Sequence, residues 1–556
     1  GAGTTWINTQ QLNIGSFGTG TLRIENGASV SSNQGYIGAN ANGSAVVTGA
    51  GSNWLVTDFT LTIGNQADGS LLIENGGRVR SEGGVYLGAA AGVDGTLTLQ
   101  GPANNRAVLE TAGFIGGLGD ANVTLDGGVL RAIADNDYFF TDLDTHDITF
   151  GANGGIIDTD GHDIGISPRF VGAGGLTKEG LGTLTLTGAN SYAGATFVNA
   201  GTLLVNGDQS AAAGAMTVLS GATLGGTGTI GGNVALLDGA ILAPGESPGT
   251  LTINGNLSLA GGSILNYEFG QADVPGGALN DLVNVGGDLT LDGTINVTVP
   301  TGGSFGPGVY RVFNYGGTLI DNGLTLGTIP GGTGGISVQT GVAGQVNLVN
   351  SLGLALSFWD GAAGPKHDGS LNGGDGVWRV AGALNNWTDA NGSINADYAQ
   401  DSFAVFAAAP GTVTIDNSGG NVLASGMQFA SGGYVITGDA LALTGAQGVV
   451  QVGDGSAAGA GYTATIDAEI AGTAQLLKTD AGTLVLTGAN SYSGGTLING
   501  GTVRIGSDAN LGDAAGGLSI GGGALHTTTV IVSGRTLTRI GAAVFLSHAG
   551  TTLKMT

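Results

Sequence analysis

Short alternations of apolar and polar residues recur along the chain and are separated by glycine-rich turns. In Thr21–Glu25, Leu22 and Ile24 alternate with two charged residues. This period of two places one set of side chains on each face of a β-strand. The same alternation occurs in Thr96–Gln100 and Leu251–Asn254. Each strand is too short to be stable alone, so the pattern predicts strands that pair with the next turn of the chain.

The first part of the chain repeats an apolar residue followed by glycine. The successive pairs begin at Ile14, Ile37, Ile63, Leu87 and Ile115. A spacing of roughly two dozen residues is typical of one coil of a parallel β-helix. We therefore predict an all-β fold, a parallel β-helix or β-solenoid. It should form an elongated rod of roughly 22 to 24 coils, with small protruding loops or a side module.

A second repeat occurs in two distant parts of the chain. Lys178–Gly207 and Lys478–Ser507 align without a gap, and both contain Gly-Thr-Leu-x-Leu-Thr-Gly-Ala-Asn-Ser-Tyr-x-Gly. We expect Leu184 and Leu186 to face the core. Position 204 is leucine where the second copy has Arg504, which indicates an outward position.

The turn of this repeat contains an asparagine and a tyrosine in both copies. Asn190 and Asn490 suit left-handed backbone geometry at the turn. Tyr192 and Tyr492 are expected to pack on the neighbouring strand rather than bind a ligand.

Composition narrows the classes of protein. The chain has 113 glycines but 10 prolines, which excludes collagen, and it is 41% hydrophobic, which excludes disorder. The net charge of −26 disfavours nucleic acid and anionic lipid as partners. There are no cysteines, so disulfides do not stabilise the fold. No apolar run reaches the roughly 18 residues of a membrane helix.

Three motif matches carry little chemistry. Gly226–Gly231 fits a dinucleotide-binding pattern but lacks a following helix, and Gly245–Gly249 fits a nucleophile elbow around Ser247 but leads into a strand. Asp158–Asp163 resembles a calcium loop without its final glutamate. The histidines share no ligand spacing: His146, His162, His367, His526 and His548. We predict no enzymatic activity, no cofactor and no metal site.

Gly174–Tyr192 and its second copy resemble the passenger-associated repeat of Gram-negative autotransporters. Gly221–Leu251 and Phe305–Gly317 are similar to the stem sequence of the same family. The resemblance implies a right-handed parallel β-helix that is exported through the outer membrane, and a β-barrel translocator in the full-length protein. Because the repeat pattern already begins at Gly1 and continues to Thr556, we expect a trimmed or processed passenger, or else a passenger-like protein that is secreted by a different route.

The pattern suggests four stretches. Residues 1–130 hold the N-terminal repeats and 131–350 a stem with the first autotransporter-type repeat. Residues 351–402 form an irregular module, and 403–556 hold the second repeat. The irregular module contains three of the five tryptophans, Trp359, Trp378 and Trp387. They either contact a partner or form the core of the module itself.

A second irregular segment, Asp135–Asp147, is both acidic and aromatic. It contains Tyr138, Phe139 and Phe140. It is either a protruding loop that binds a partner or a long turn packed on the rod.

The extended shape, the sparse chemistry and the resemblance together predict an adhesin or host-interaction scaffold, secreted or on the bacterial cell surface. Its partner would be a host cell-surface protein, matrix or glycan. The alternatives are a secreted ligand of a host-cell receptor, a self-associating passenger and, more remotely, a polysaccharide-active β-helix enzyme.

Overall fold

The computed structural model describes residues 3–306, 308–333, 336–340, 343–350, 356–392, 394–540, 543–547 and 552–555. The chain forms two compact units: Gly1–Phe305 with Tyr310–Thr333, and Gly306–Val309 with Gly334–Thr556. Both units consist of stacked parallel strands, so the predicted all-β solenoid is confirmed. No helix in the described parts of the chain is long and apolar enough to cross a membrane. The finer division into four stretches remains a prediction.

The first unit is built on a sheet of 14 parallel strands that follow one another in chain order. Its strands are Thr5–Ile7, Ser29–Ser32, Asn53–Val56, Arg78–Ser81, Val108–Thr111, Val129–Ala132, Gly155–Asp158, Leu176–Glu179, Thr196–Val198, Met216–Val218, Val234–Leu236, Leu257–Leu259, Leu289–Leu291 and Leu319–Asp321.

Two sheets cover the other sides of the early coils. One contains Gln11–Ile14, Gln34–Ile37, Leu61–Ile63, Val85–Leu87, Phe114–Gly116 and Phe140–Thr141. The other contains Gly20–Glu25, Gly43–Thr48, Gly69–Glu74, Asp94–Gln100, Asp120–Asp126, Ile148–Phe150 and Phe170–Gly172.

Two further sheets take over in the later coils. The first contains Ile164–Ile166, Thr183–Leu186, Thr202–Val205, Thr223–Gly226, Ile241–Pro244, Ile264–Glu268, Thr294–Thr298 and Thr325–Leu326. The second contains Asp208–Gln209, Thr229–Ile230, Thr250–Ile253, Leu282–Val285 and Gly308–Tyr315.

The second unit has one sheet of nine strands and one of eight. The nine are Trp387–Thr388, Leu356–Trp359, Phe403–Phe406, Gly426–Phe429, Gln447–Val452, Gln475–Thr479, Thr496–Ile498, Leu518–Ile520 and Leu537–Arg539. The eight are Gly376–Trp378, Thr412–Ile415, Val435–Gly438, Thr463–Ile466, Thr483–Leu486, Thr502–Ile505, Ala524–Thr527 and Val544–Ser547.

Smaller elements complete the second unit. An antiparallel hairpin joins Ile336–Gln339 to Gln345–Asn350. The remaining strands are Val422–Ala424, Leu441–Leu443, Ile470–Gly472, Ile531–Ser533 and Leu553–Met555. The 3-10 helices are Asn417–Gly419, Ala457–Gly461 and Asp508–Leu511.

The core of each coil is a set of inward side chains that stack on the coils before and after. In one such column, Leu71, Leu97, Val123, Ile148 and Phe170 lie in register and are all buried. Full burial of side chains of this size contributes about 1.5–3 kcal/mol each. The stacking explains how such short strands form a stable structure.

Coil length varies more than the early repeats suggest. Met216 pairs with Val234 across a short coil, whereas Leu257 pairs with Leu289 across a much longer one. The difference lies in the turns, because the paired strands keep their parallel register. Turn length therefore decides which outward side chains become neighbours.

Candidate functional site

The three tryptophans of the irregular stretch lie in its core. Trp359, Trp378 and Trp387 are buried. The ring centroid of Trp387 is 5.1 Å from that of Trp359 and 4.9 Å from that of Trp378. Their cluster is continuous with the hydrophobic core of the second unit. A contact between these indoles and a partner stays a prediction, and it requires the stretch to open.

The tryptophans also mark a break in the strand pattern. Trp387–Thr388 runs antiparallel to Leu356–Trp359, which pairs in parallel with Phe403–Phe406 on its other side. The indole N–H groups of Trp378 and Trp387 have no hydrogen-bond partner among the described residues. A buried donor without a partner costs about 1–3 kcal/mol, so aromatic packing must offset that cost here.

The acidic and aromatic segment Asp135–Asp147 splits into buried and exposed parts. Phe139 and Phe140 are buried, and the ring of Phe140 stacks on Phe114 with centroids 4.4 Å apart. Tyr138, in contrast, is 73% exposed. Of the three predicted contact residues in this segment, Tyr138 is the one placed on the surface.

Carboxylates join this segment to the coil that follows it. Asp135 accepts a hydrogen bond from the backbone N–H of Asp163, which lowers the pKa of Asp135, and lies 3.0 Å from Nδ1 of His162. Asp147 accepts two hydrogen bonds from Arg169, at 3.0 and 2.7 Å. Exposed pairs of this kind contribute little stability, but they orient the segment as a long turn packed on its neighbour.

Tyr138 belongs to a surface that the sequence alone does not reveal. The register aligns four buried positions in successive coils: Leu61, Val85, Phe114 and Phe140. Counting back two residues gives Phe59, Gly83, Ala112 and Tyr138, which we call the aromatic corner. Phe59 is 56% exposed. Three coil spacings separate Phe59 from Tyr138, about 14 Å along the stacking direction.

The two positions between Phe59 and Tyr138 are occupied by small residues, Gly83 and Ala112. A Cβ atom on Gly83 would lie 2.5 Å from the carbonyl carbon of Phe59, so no larger residue fits this position without a backbone shift. Beside it, Asp58 accepts a hydrogen bond of 2.8 Å from Asn33, and Glu82 pairs with Arg80 at 3.3 Å. The aromatic corner thus offers two rings and a polar border for contact with a partner.

The motif matches are engaged in structural contacts. Ser247 has a positive φ of 71° and donates a hydrogen bond of 2.6 Å to Glu268. Its hydrogen bonds within the described chain include none to a histidine. Asp158 accepts a hydrogen bond from Arg131 at 2.8 Å. Among the described residues, no three His, Asp or Glu side chains form a cluster suited to a metal ion; His548 lies outside them.

Buried lysines in the two repeats escaped the sequence analysis. Lys178 and Lys478 are fully buried. Lys178 Nζ has four acceptors within hydrogen-bond distance, Thr159 Oγ1 and three backbone carbonyls, which its three N–H groups share. Lys478 Nζ donates to three backbone carbonyls. Burial lowers the pKa of Lys178 to about 8 and that of Lys478 to about 7. The alternation of the strand could have predicted this burial. Each lysine lies two positions after a buried leucine, Leu176 or Leu476, and therefore on the same inward face of its strand.

The repeat also contains the leucines, tyrosines and asparagines for which the sequence predicted a place in the coil. Leu184 and Leu186 are buried, as predicted. Tyr192 is buried as well, and its hydroxyl lies 2.6 Å from Thr196 Oγ1. The prediction of a left-handed backbone at Asn190 and Asn490 is wrong, because neither residue has a positive φ. Instead, the side-chain oxygen of Asn190 accepts a hydrogen bond from the backbone N–H of Phe170, and that of Asn490 accepts one from the backbone N–H of Ile470.

Stacked parallel coils, together with this duplicated repeat, define an autotransporter passenger domain. The family model of the passenger-associated-transport-repeat matches residues 176–205 and 476–505. The chain is 48% identical over 424 residues to the "Adhesin BmaC autotransporter" of Brucella suis biovar 1 (strain 1330). That alignment covers 74% of this chain and 12% of the adhesin.

A shorter similarity links 75 residues, 14% of the chain, to the "Extracellular serine protease" of Serratia marcescens at 43% identity. It covers 7% of the protease. The chain thus spans about one eighth of the adhesin that it matches. It is an autotransporter passenger domain, a class exported through the outer membrane and secreted or displayed at the cell surface.

Proposed function

We propose that this chain is an adhesive segment of its passenger, a scaffold that binds a host cell-surface protein, matrix or glycan. The identity of 48% over 424 residues to a protein named as an adhesin carries this proposal. The fold supports it, because the solenoid buries its apolar columns and presents a long series of outward side chains. Recognition then depends on surface side chains rather than on a deep cleft.

The aromatic corner is the contact surface that we propose for the first unit. Exposed aromatic rings are frequent anchors of protein and sugar partners because they bury much area with few rotatable bonds. Phe59 and Tyr138 are exposed. Tyr138 also has a rigid backbone support, since Phe139 and Phe140 hold the adjacent turn in the core.

The test measures binding of beads coated with purified chain to host cells and to extracellular matrix. We expect the variant Phe59→Ser/Tyr138→Ser to lower binding about 30-fold, the effect of losing about 2 kcal/mol at an interface hot spot. Leu118→Ser is the matched control, because Leu118 is 81% exposed and lies outside the aromatic corner. Failure of the unaltered chain to bind cells or matrix would contradict the adhesive function itself.

We further infer that this segment has no hydrolytic activity. Ser247 Oγ donates to a carboxylate of Glu268, and no histidine among the described residues bonds to it to complete a Ser-His-acid triad. A fluorophosphonate probe should leave the chain unlabelled. Labelling that Ser247→Ala abolishes would contradict this inference.

A further inference from the structure

The outer face of the eight-stranded sheet in the second unit contains two basic side chains in adjacent coils. The register places Arg504 between Val485 and His526, and His526 beside Leu546. Neighbouring positions in such a column are about 4.8 Å apart. These four positions include no acidic residue, in a chain with 41 acidic and 15 basic residues.

The guanidinium of Arg504 is available for a ligand. Within the described part of the chain, no hydrogen bond or ion pair engages the side chain of Arg504 or His526. Several arginines elsewhere have carboxylate partners; for example, Arg169 pairs with Asp147 and Arg535 with Asp508. Arg504 is thus a cation with unused donors, while His526 provides at least one further N–H in either protonation state.

A hollow of about 230 Å³ adjoins Arg504, and Val485, Asn510 and Thr528 also line it. The donors of the last two already have partners, since Asn510 Nδ2 donates to the carbonyls of Thr487 and Gly488 at 3.1 and 2.8 Å and Thr528 Oγ1 donates to the carbonyl of Ile505 at 3.1 Å. The guanidinium therefore supplies the charged donors of the hollow, beside the hydroxyl of Ser507, which accepts from the backbone N–H of Ala509.

One carboxylate lies near the rim. Asp467 accepts a hydrogen bond of 2.8 Å from Thr487, which also lines the hollow. Threonine hydroxyls and small apolar groups occupy neighbouring strand positions, among them Thr502 and Ala524. The surroundings are thus largely neutral, with the Arg504 guanidinium in the lining and an acid at the edge.

We propose that this hollow binds one carboxylated sugar unit of a glycan, with its carboxylate on Arg504. His526 does not line the hollow and acts from its border, as the strand partner of Arg504 in the next coil. Guanidinium and carboxylate form paired charge-assisted hydrogen bonds. The volume is below the roughly 300 Å³ of pockets for drug-sized ligands, so it suits a single sugar ring. The net charge of −26 repels long polyanions, which favours a ligand with an isolated carboxylate.

The first repeat provides an internal comparison. Its equivalent column consists of Thr185, Leu204, Gly225 and Ala243, without a cation. Leucine at position 204 shows that the coil accepts an apolar residue there. Arg504→Leu therefore copies a side chain that the same repeat already carries.

The experiment measures binding of soluble sugars to the purified chain by saturation-transfer NMR and calorimetry. The probes are a trisaccharide ending in N-acetylneuraminic acid, a disaccharide ending in glucuronic acid, lactose and inorganic sulfate. We expect saturable binding of at least one carboxylated sugar and none of lactose. Arg504→Leu should weaken binding about tenfold or more, as loss of a charged hydrogen-bonded pair does, and His526→Asn should weaken it less.

Arg23→Leu is the control, because Arg23 lies on an outward strand position and pairs with Glu25. Equal binding of lactose, unchanged binding by Arg504→Leu, or no saturable binding of either acidic sugar would each overturn the proposal. Sulfate binding as tight as that of the sugars would also overturn it, because the site would then be a simple anion site.

This inference rests on the adhesive function, so cell binding of Arg504→Leu is measured in parallel. Cell binding by the unaltered chain without any sugar binding would leave the adhesive function standing and remove this site. Sugar binding without cell binding would keep the site and contradict the adhesive function.

Discussion

The two copies of the transport repeat have the same interior and different surroundings. Lys178 and Lys478 occupy equivalent positions, both are buried, and both bind backbone carbonyls. Gly180 in the first copy, with φ 78°, corresponds to Asp480 in the second, with φ 65°. The carboxylate of Asp480 accepts the backbone N–H of Gly455 at 3.1 Å, a contact that glycine cannot make. The comparison shows that the interior fixes the coil, whereas turns and outward positions differ freely between copies.

Truncation of the lysines should give the largest difference between the copies. We expect Lys478→Ala to lower the free energy of unfolding by about 3–5 kcal/mol, because three buried carbonyls lose their donor and a cavity remains. Lys178→Ala should cost less, since water can reach the carbonyls of Glu179 and Gly180, which are only partly buried. Hydrogen exchange of peptides spanning 176–205 and 476–505 measures each copy separately. A larger cost in the first copy would contradict this explanation.

The pH dependence of stability should also differ between copies. An exposed lysine has a pKa near 10.5, whereas burial lowers that of Lys478 to about 7 and that of Lys178 to about 8. The unfolded chain therefore binds more protons than the folded chain above these values, and stability rises with pH up to about 10. Above that range, buried tyrosines oppose the trend, because burial raises the pKa of Tyr192 to about 12.

Hydrogen exchange at pH 7, 8 and 9, corrected for the intrinsic exchange rate, checks this dependence. Protection of the second copy should begin to rise near pH 7 and that of the first copy near pH 8. Lys478→Met should flatten the rise in the second copy alone. An unchanged slope in that variant would show that other groups carry the dependence.

The sequence predicts the inward half of this structure better than the outward half. The period of two correctly assigns Leu184 and Leu186 to the core, and it also places Lys178 there, although its charge argues for the surface. The neighbours of an outward residue depend on coil length, which differs widely between paired strands. Phe59 and Tyr138 could therefore not be brought together from the sequence, because every intervening turn length affects their alignment.

The buried tyrosines of the two copies should differ in their contribution to stability, by less than the lysines do. Tyr192 and Tyr492 each place the hydroxyl beside a threonine, at 2.6 and 2.7 Å. Thr496 also donates to the carbonyl of Leu511, so it keeps a partner when Tyr492 becomes phenylalanine. We expect Tyr192→Phe to cost about 1 kcal/mol and Tyr492→Phe about half as much. Urea unfolding midpoints of the two variants test the order, and equal or reversed costs would contradict it.

The smallest expected effect is that of Arg504→Leu on stability. Arg504 has no polar partner among the described residues, and Leu204 occupies the equivalent outward position of the first copy. The free energy of unfolding should therefore stay within about 0.5 kcal/mol of the unaltered chain, as for surface substitutions without specific contacts. A clearly larger loss would mean that the guanidinium supports the coil, and reduced sugar binding by this variant would then reflect unfolding. An unchanged free energy of unfolding would show that the coil does not need the guanidinium, so that reduced sugar binding by Arg504→Leu would reflect the loss of a surface contact that the first copy of the repeat lacks.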